Sequence, residues 1–216
     1  MNNKGFTPSA ARVTHGSSNP QYSYGLFADV GDGAEIKNLK LTNVDIDTTR
    51  YSAAKGDSVG ALIGYSDGSI TVKNIEVSGS VKASDAVGGI LGRAYNEISS
   101  YGEGRAAKLA EFSFTVENCK NNAAITAGTE YGEKCGGIVG FLDNVLSKET
   151  SCAIKNNANT GVISGGYTSE GHPLAANIVV VGIPNAGIHF DYTGNKNGTA
   201  ATALSDWSTI GVKVLG

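Results

Sequence analysis

The stretch VGGILG at 87–92 decides the fold because it comes back along the chain. VGALIG at 59–64 precedes it, CGGIVG at 135–140 follows it, and a related YGLFA stands at 24–28. Two aliphatic residues sit among glycines in every full copy. One active-site loop needs one such segment, so the repetition speaks first of architecture. The chemical alternative is a glycine-rich phosphate loop. No Lys-Ser/Thr pair follows the glycines, and no helix-period pattern begins after them.

Two further columns align with the glycine block. An apolar residue, a charged residue and an asparagine recur, ending at Asn38, Asn74, Asn118 and Asn156. Seven residues beyond each asparagine stand Asp45, Val81, Ile125 and Ile163, preceded at two positions by the turn-compatible Asn43, Gly79, Ala123 and Gly161. Ala28 to Asn38 and Gly64 to Asn74 both span 10 residues, whereas Gly92 to Asn118 spans 26 and Gly140 to Asn156 spans 16. Extra length at one place in a repeating unit marks a stack whose loops vary without disturbing its coils.

Between the columns, SDGSITVKNIEVSGSV at 66–81 alternates apolar and polar residues with period two, broken once at Asn74. That is strand patterning punctuated by Gly/Ser/Asp turns. The most compact unit, 59–86, has 28 residues, too few to bury its own apolar face. The expectation is therefore an all-β solenoid of about five stacked coils, one domain over 1–216. Residues 1–22 are expected as an irregular lead-in, 23–182 as repeats, and 183–216 as a degenerate last coil or cap. The aliphatic pairs 62–63, 90–91 and 138–139 should point into a shared core, with the glycines where the chain bends or backbones approach closely. Asn38, Asn74, Asn118 and Asn156 should stack about 4.8 Å apart as a structural amide ladder.

The repeats VGGILG and CGGIVG, with the V-x-N-C and I-K-N-N segments after them, resemble GLUG-motif repeats. The opening YGLFADVGDGAEIKNLKLTNVDI at 24–46 is similar to the leading segment of such proteins. The resemblance covers 24–164. It implies a right-handed β-helix outside the cytoplasm, in large surface-exposed or secreted bacterial proteins, with an adhesive, ligand-binding or spacer role. It attaches no catalytic residue to the repeat. It also departs in places: Ala28 replaces a final glycine, and ANIVVVG at 176–182 lacks the glycine pair.

Composition agrees with export and narrows the chemistry. Glycine is 30 of 216 residues, charged residues are 17%, and the net charge is −3 without a Lys/Arg block, so the electrostatic footprint of a nucleic-acid binder is missing. The longest apolar run, IVVVGIP at 178–184, is too short to insert into a membrane as a helix. No apolar signal segment opens the chain, and the expectation is a module of a longer exported protein. Cys119, Cys135 and Cys152 lack zinc-ligand spacing and read as small buried residues.

No catalytic residue, metal site or cofactor is expected. If the chain were a carbohydrate-active enzyme on a β-helix, Asp45 and Asp47 would be its acid pair, since alternate strand residues share a face. Asp29 and Asp32 lack calcium-loop spacing. His15, His172 and His189 have no motif context. The insertion at 94–112 carries Tyr95, Tyr101 and Arg105, residue types enriched at recognition surfaces, and is the place to look for a host or environmental glycan or protein partner.

Overall fold

A computed structural model of the chain describes residues 9–13, 21–49, 57–95, 113–128, 133–143, 151–166, 174–182, 189–197, 200–201 and 212–214. Every regular element among them is a strand, and the strands form three sheets that each coil visits in turn. The first sheet takes Gln21–Gly25, Ser58–Gly60, Ala86–Gly88, Lys134–Gly136 and Ala175–Ala176. The second takes Phe27–Val30, Ile63–Asp67, Leu91–Tyr95, Val139–Asp143, Val179–Val181 and Val212–Val214. The third begins with the long strands Ala34–Asp47 and Ile70–Lys82 and continues as shorter segments from Ser113–Glu117 to Lys196–Asn197. Successive coils pair in parallel in all three sheets, for example Val59 with Val87 and Val87 with Cys135. The chain is all-β.

The glycine block is the corner between the first and second sheets. Leu62, Ile90, Ile138 and Ile178 stand at the bend and are buried, as are Ile63, Leu91, Val139 and Val179 one residue on. In three bends one carbonyl accepts two amides from the coil before it: Ile90 O takes Leu62 N at 3.1 Å and Ile63 N at 3.0 Å, Ile138 O takes Ile90 N and Leu91 N, and Ile178 O takes Ile138 N and Val139 N. The glycines are needed for closeness, not for unusual torsion, since none in these blocks has positive φ. A Cβ on Gly88 would lie 2.0 Å from Leu91 O, and one on Gly136 1.9 Å from Val139 O. Each fully buried aliphatic side chain contributes about 1.5–3 kcal/mol, repeated coil after coil along one core.

The asparagine column has a backbone cause. Asn38, Asn74, Asn118 and Asn156 all adopt left-handed φ of 56–59°. That region costs most L-residues about 1–2 kcal/mol, and asparagine tolerates it best after glycine. The break in alternation at Asn74 is this kink. In the fifth coil the slot belongs to Gly194, at φ 70°, where a Cβ would lie 2.1 Å from Asn156 Oδ1.

Three expectations are corrected. The lead-in is not wholly irregular: Ser9–Val13 is a strand, antiparallel to Gln21–Gly25. The third column of the first coil is Ile46, not Asp45, because the register slips between Leu41 and Val44 and sets Ile46 beside Val81. Asn43, also left-handed, is the extra residue in that bulge. Length also varies at two corners rather than one. Val81 to Val87 is 6 residues, but Ile46 to Val59 is 13, Ile125 to Cys135 is 10 and Ile163 to Ala175 is 12. The glycine corner varies least: Val59 to Ile63, Val87 to Leu91 and Cys135 to Val139 each span 4 residues, and Tyr24 to Phe27 spans 3. Val212–Val214 adds a sixth strand to the second sheet beyond the five coils counted in sequence.

Inside the stack the filling changes character along the axis. Leu39 pairs with Ile75, and Cys119, Asn157 and Asn195 stand one residue before the paired Lys120, Ala158 and Lys196 in the later coils, while Leu41 and Val77 are followed in register by Asn121 and Asn159. Asn121 is wholly buried yet satisfied: its oxygen accepts Ala123 N at 3.0 Å, and its amide donates to Ala123 O and to Asn159 Oδ1 at 2.8 Å. Asn157 Oδ1 accepts Cys119 N at 2.9 Å just after the Asn118 kink, and its amide donates to Val116 O. Buried amides bonded in this way avoid the desolvation cost of orphaned ones. Room for them comes from the second glycine of the pair. A Cβ on Gly89 would lie 2.5 Å from Asn121 Cγ, and one on Gly137 2.5 Å from Asn159 Cγ.

Candidate ligand-binding face

Outward positions of the second sheet carry the least structural-looking chemistry. Asp29, Tyr65, Arg93, Phe141 and Val180 align across coils, and two residues on, Asp67, Tyr95 and Asp143 align likewise. Phe141 and Val180 stand apart from the main core in a small apolar cluster with Ala86 and Ala176 of the first sheet. The outer faces of the two sheets therefore meet outside the glycine corner. Lys134, from the first sheet, places Nζ 4.9 Å from the Phe141 ring centre, and the Arg93 guanidinium carbon lies 5.4 Å from it. Both distances suit cation–π attraction. The Tyr65 and Tyr95 rings lie 6.4 Å apart. Arg93 and Tyr95 are half-buried, while Tyr65 and Phe141 are buried. Lys134 also approaches Asp85 at 3.7 Å.

Chemically, this face offers the half-buried ring of Tyr95 and the half-buried cations Arg93 and Lys134, with Tyr65 and Phe141 buried as their packing. The Tyr95 ring can stack on a sugar ring or an aromatic side chain, and Arg93 can meet hydroxyl or carboxylate groups. Tyr95 leads directly into the insertion. Tyr101 and Arg105 lie outside the described residues. Tyr65, Arg93, Phe141 and Lys134 escaped the sequence reading. The available signal was an aromatic or arginine two residues after the aliphatic pair in copies two to four.

A second cluster sits at the corner where the third sheet returns to the first. Asp57, Asp85 and Glu133 each precede a first-sheet strand, and the pairing of Ser58 with Ala86 and Ala86 with Lys134 stacks them on successive coils. Asp57 is fully buried. Burial pushes its carboxyl up to about 7, and the neighbouring Asp85 charge adds to it. Among the described residues, no group of three or more His, Cys, Asp or Glu side chains is arranged to hold a metal ion.

The chain matches no family model, no curated protein and no solved structure.

The remaining candidates are held in surface structure. Asp47 accepts Thr49 N at 3.0 Å and approaches Lys82 at 3.7 Å, and Asp45 accepts the Ser80 hydroxyl at 3.2 Å. Asp32 accepts Ser69 N at 2.7 Å and ties two turns together. In the asparagine column, Asn74 donates its amide to Asn38 Oδ1 at 2.8 Å, and Glu117, held low by the Lys73 ammonium, also bonds Asn156. Cys119, Cys135 and Cys152 are free and buried, and burial pushes their thiols up to about 11, 12 and 12. Thiols held so high are poor nucleophiles.

Proposed function

We propose that this chain is a non-catalytic adhesion or ligand-binding module of a bacterial cell-surface or secreted protein, built as a right-handed β-helix of the GLUG-repeat type. The observation that carries the binding role is the half-buried pair Arg93 and Tyr95 on the second sheet, packed against the buried Tyr65 and Phe141, where the chain enters the longest insertion of the repeat. The parallel pairing of successive coils supports the hand, because crossovers between parallel strands of one sheet are right-handed in nearly all proteins. A regular scaffold with variable loops at two corners suits display of a recognition surface.

The test is a panel of host and plant polysaccharides and glycoproteins, scored both for binding and for release of new reducing ends. Binding without release is expected. The Tyr95→Ala and Arg93→Ala variants should each weaken it about tenfold with unchanged circular dichroism. Release above a heat-killed control overturns the reading in favour of a carbohydrate-active enzyme, with Asp45 and Asp47 the first residues to replace. Absence of binding across the panel leaves the spacer role as the better account.

A further inference from the structure

The first coil ends the stack differently from the last. In the first sheet the strand Ser9–Val13 covers Gln21–Gly25. In the third sheet Ala200–Ala201 folds back antiparallel on Lys196–Asn197. The strand Ala34–Asp47 has a partner on one side only among the described residues. Its inward residues Ile36, Leu39, Leu41 and Val44 stay partly exposed, although Val72, Ile75 and Val77, beside the first three, are buried. Phe27, at the same end of the second sheet, is 42% exposed.

This edge is selective. Its lysines, Lys37 and Lys40, and its left-handed kinks at Asn38 and Asn43 discourage pairing with an ordinary flat strand. A strand with a kink at the same place meets no such obstacle, as Ile70–Lys82 shows on the other side. The side-chain amides have a direction too: Asn74 donates to Asn38 Oδ1, a bond that leaves the Asn38 amide nitrogen still able to donate.

We propose that Ala34 to Leu41 is a docking edge for an extended segment that adds in parallel as one more strand of the third sheet. The occupant has alternating apolar residues that cover Ile36, Leu39 and Leu41. It carries an asparagine in the left-handed conformation whose carbonyl accepts from Asn38. A second copy docked head-to-tail fits poorly, because its last coil offers Gly194 in that slot and its Lys196–Asn197 edge is already covered. Main-chain pairing supplies affinity and the kink supplies specificity, as in other strand-addition interfaces.

The probe is a synthetic peptide copying residues 69–83, offered to the full chain and followed by amide hydrogen exchange. Amides of 35–41 should exchange about fivefold more slowly at saturating peptide. A peptide with Asn74→Val, whose branched side chain resists positive φ, should give no slowing. No slowing by the first peptide, or equal slowing by both, overturns the proposal. Protection of this strand that rises with protein concentration alone, with a dimer in light scattering, overturns it in favour of a second copy.

Discussion

A glycine's value in this chain depends on what faces it, and neighbouring glycines differ sharply. At Gly89 a Cβ would meet the Gly137 carbonyl at 2.2 Å as well as Asn121, whereas at Gly31 it would meet nothing within 4 Å. Gly89→Ala should lose about 2–3 kcal/mol in urea unfolding, because backbone must shift to admit it, and Gly31→Ala should stay within about 0.5 kcal/mol of the parent. The asparagine kinks give a second contrast. Asn74→Ala should cost about 1–2 kcal/mol and Asn74→Gly distinctly less, since glycine keeps the left-handed torsion and loses only the bond to Asn38. Equal losses would mean that the amide bond, and not the torsion, sets the asparagine requirement.

At the level of strands and turns, the third coil differs from the second by its long insertion. Tyr95 is the partner of Asp67 and Phe114 of Ile70, so residues 96–112 occupy the place of Gly68 alone. Replacing 96–112 by a single glycine should leave the melting temperature within a few degrees while abolishing panel binding, if recognition lies beside Tyr95. A collapse in stability would instead assign the insertion to the scaffold. The sequence made the coils legible because burial on one side of a strand imposes period two, and the glycine corner imposes a motif. It hid two things. The bulge at Asn43 moved the column from Asp45 to Ile46, and only the demand for an apolar residue there, which Asp45 violates, could have signalled it. The inward Asn121, Asn157, Asn159 and Asn195 look like loop residues in NCKNN, NNANT and GNKNG, because composition does not reveal that neighbouring coils satisfy their amides. The outward row was only partly visible, since Lys134 and Phe141 meet across a corner that strand patterning does not resolve.

Across the whole molecule, one buried acid ties stability to pH. The Asp57 carboxyl sits at about 7 when folded against an ordinary 3.8, so between those values the folded chain holds a proton that the unfolded chain has released. Stability from this group is complete below about pH 4 and declines as pH rises through about 7. The melting temperature of the parent should therefore fall over that window relative to Asp57→Asn, which carries no titrating proton there. Parallel profiles for the two would remove Asp57 as the cause. The thiols report on the same cooperative unit. Cys119, Cys135 and Cys152 should react with a disulfide reagent only at the rate of global opening, since all three are buried in one continuous core. The lumen that grades from Leu39 and Leu41 at one end to Asn195 at the other carries a last consequence. Apolar surface raises the heat capacity of unfolding and polar surface lowers it, so the aliphatic coils have the more strongly curved stability profile. Chilling should loosen the leucine end of the stack before the asparagine end, giving a single continuous fold a cold-sensitive terminus and a cold-tolerant one.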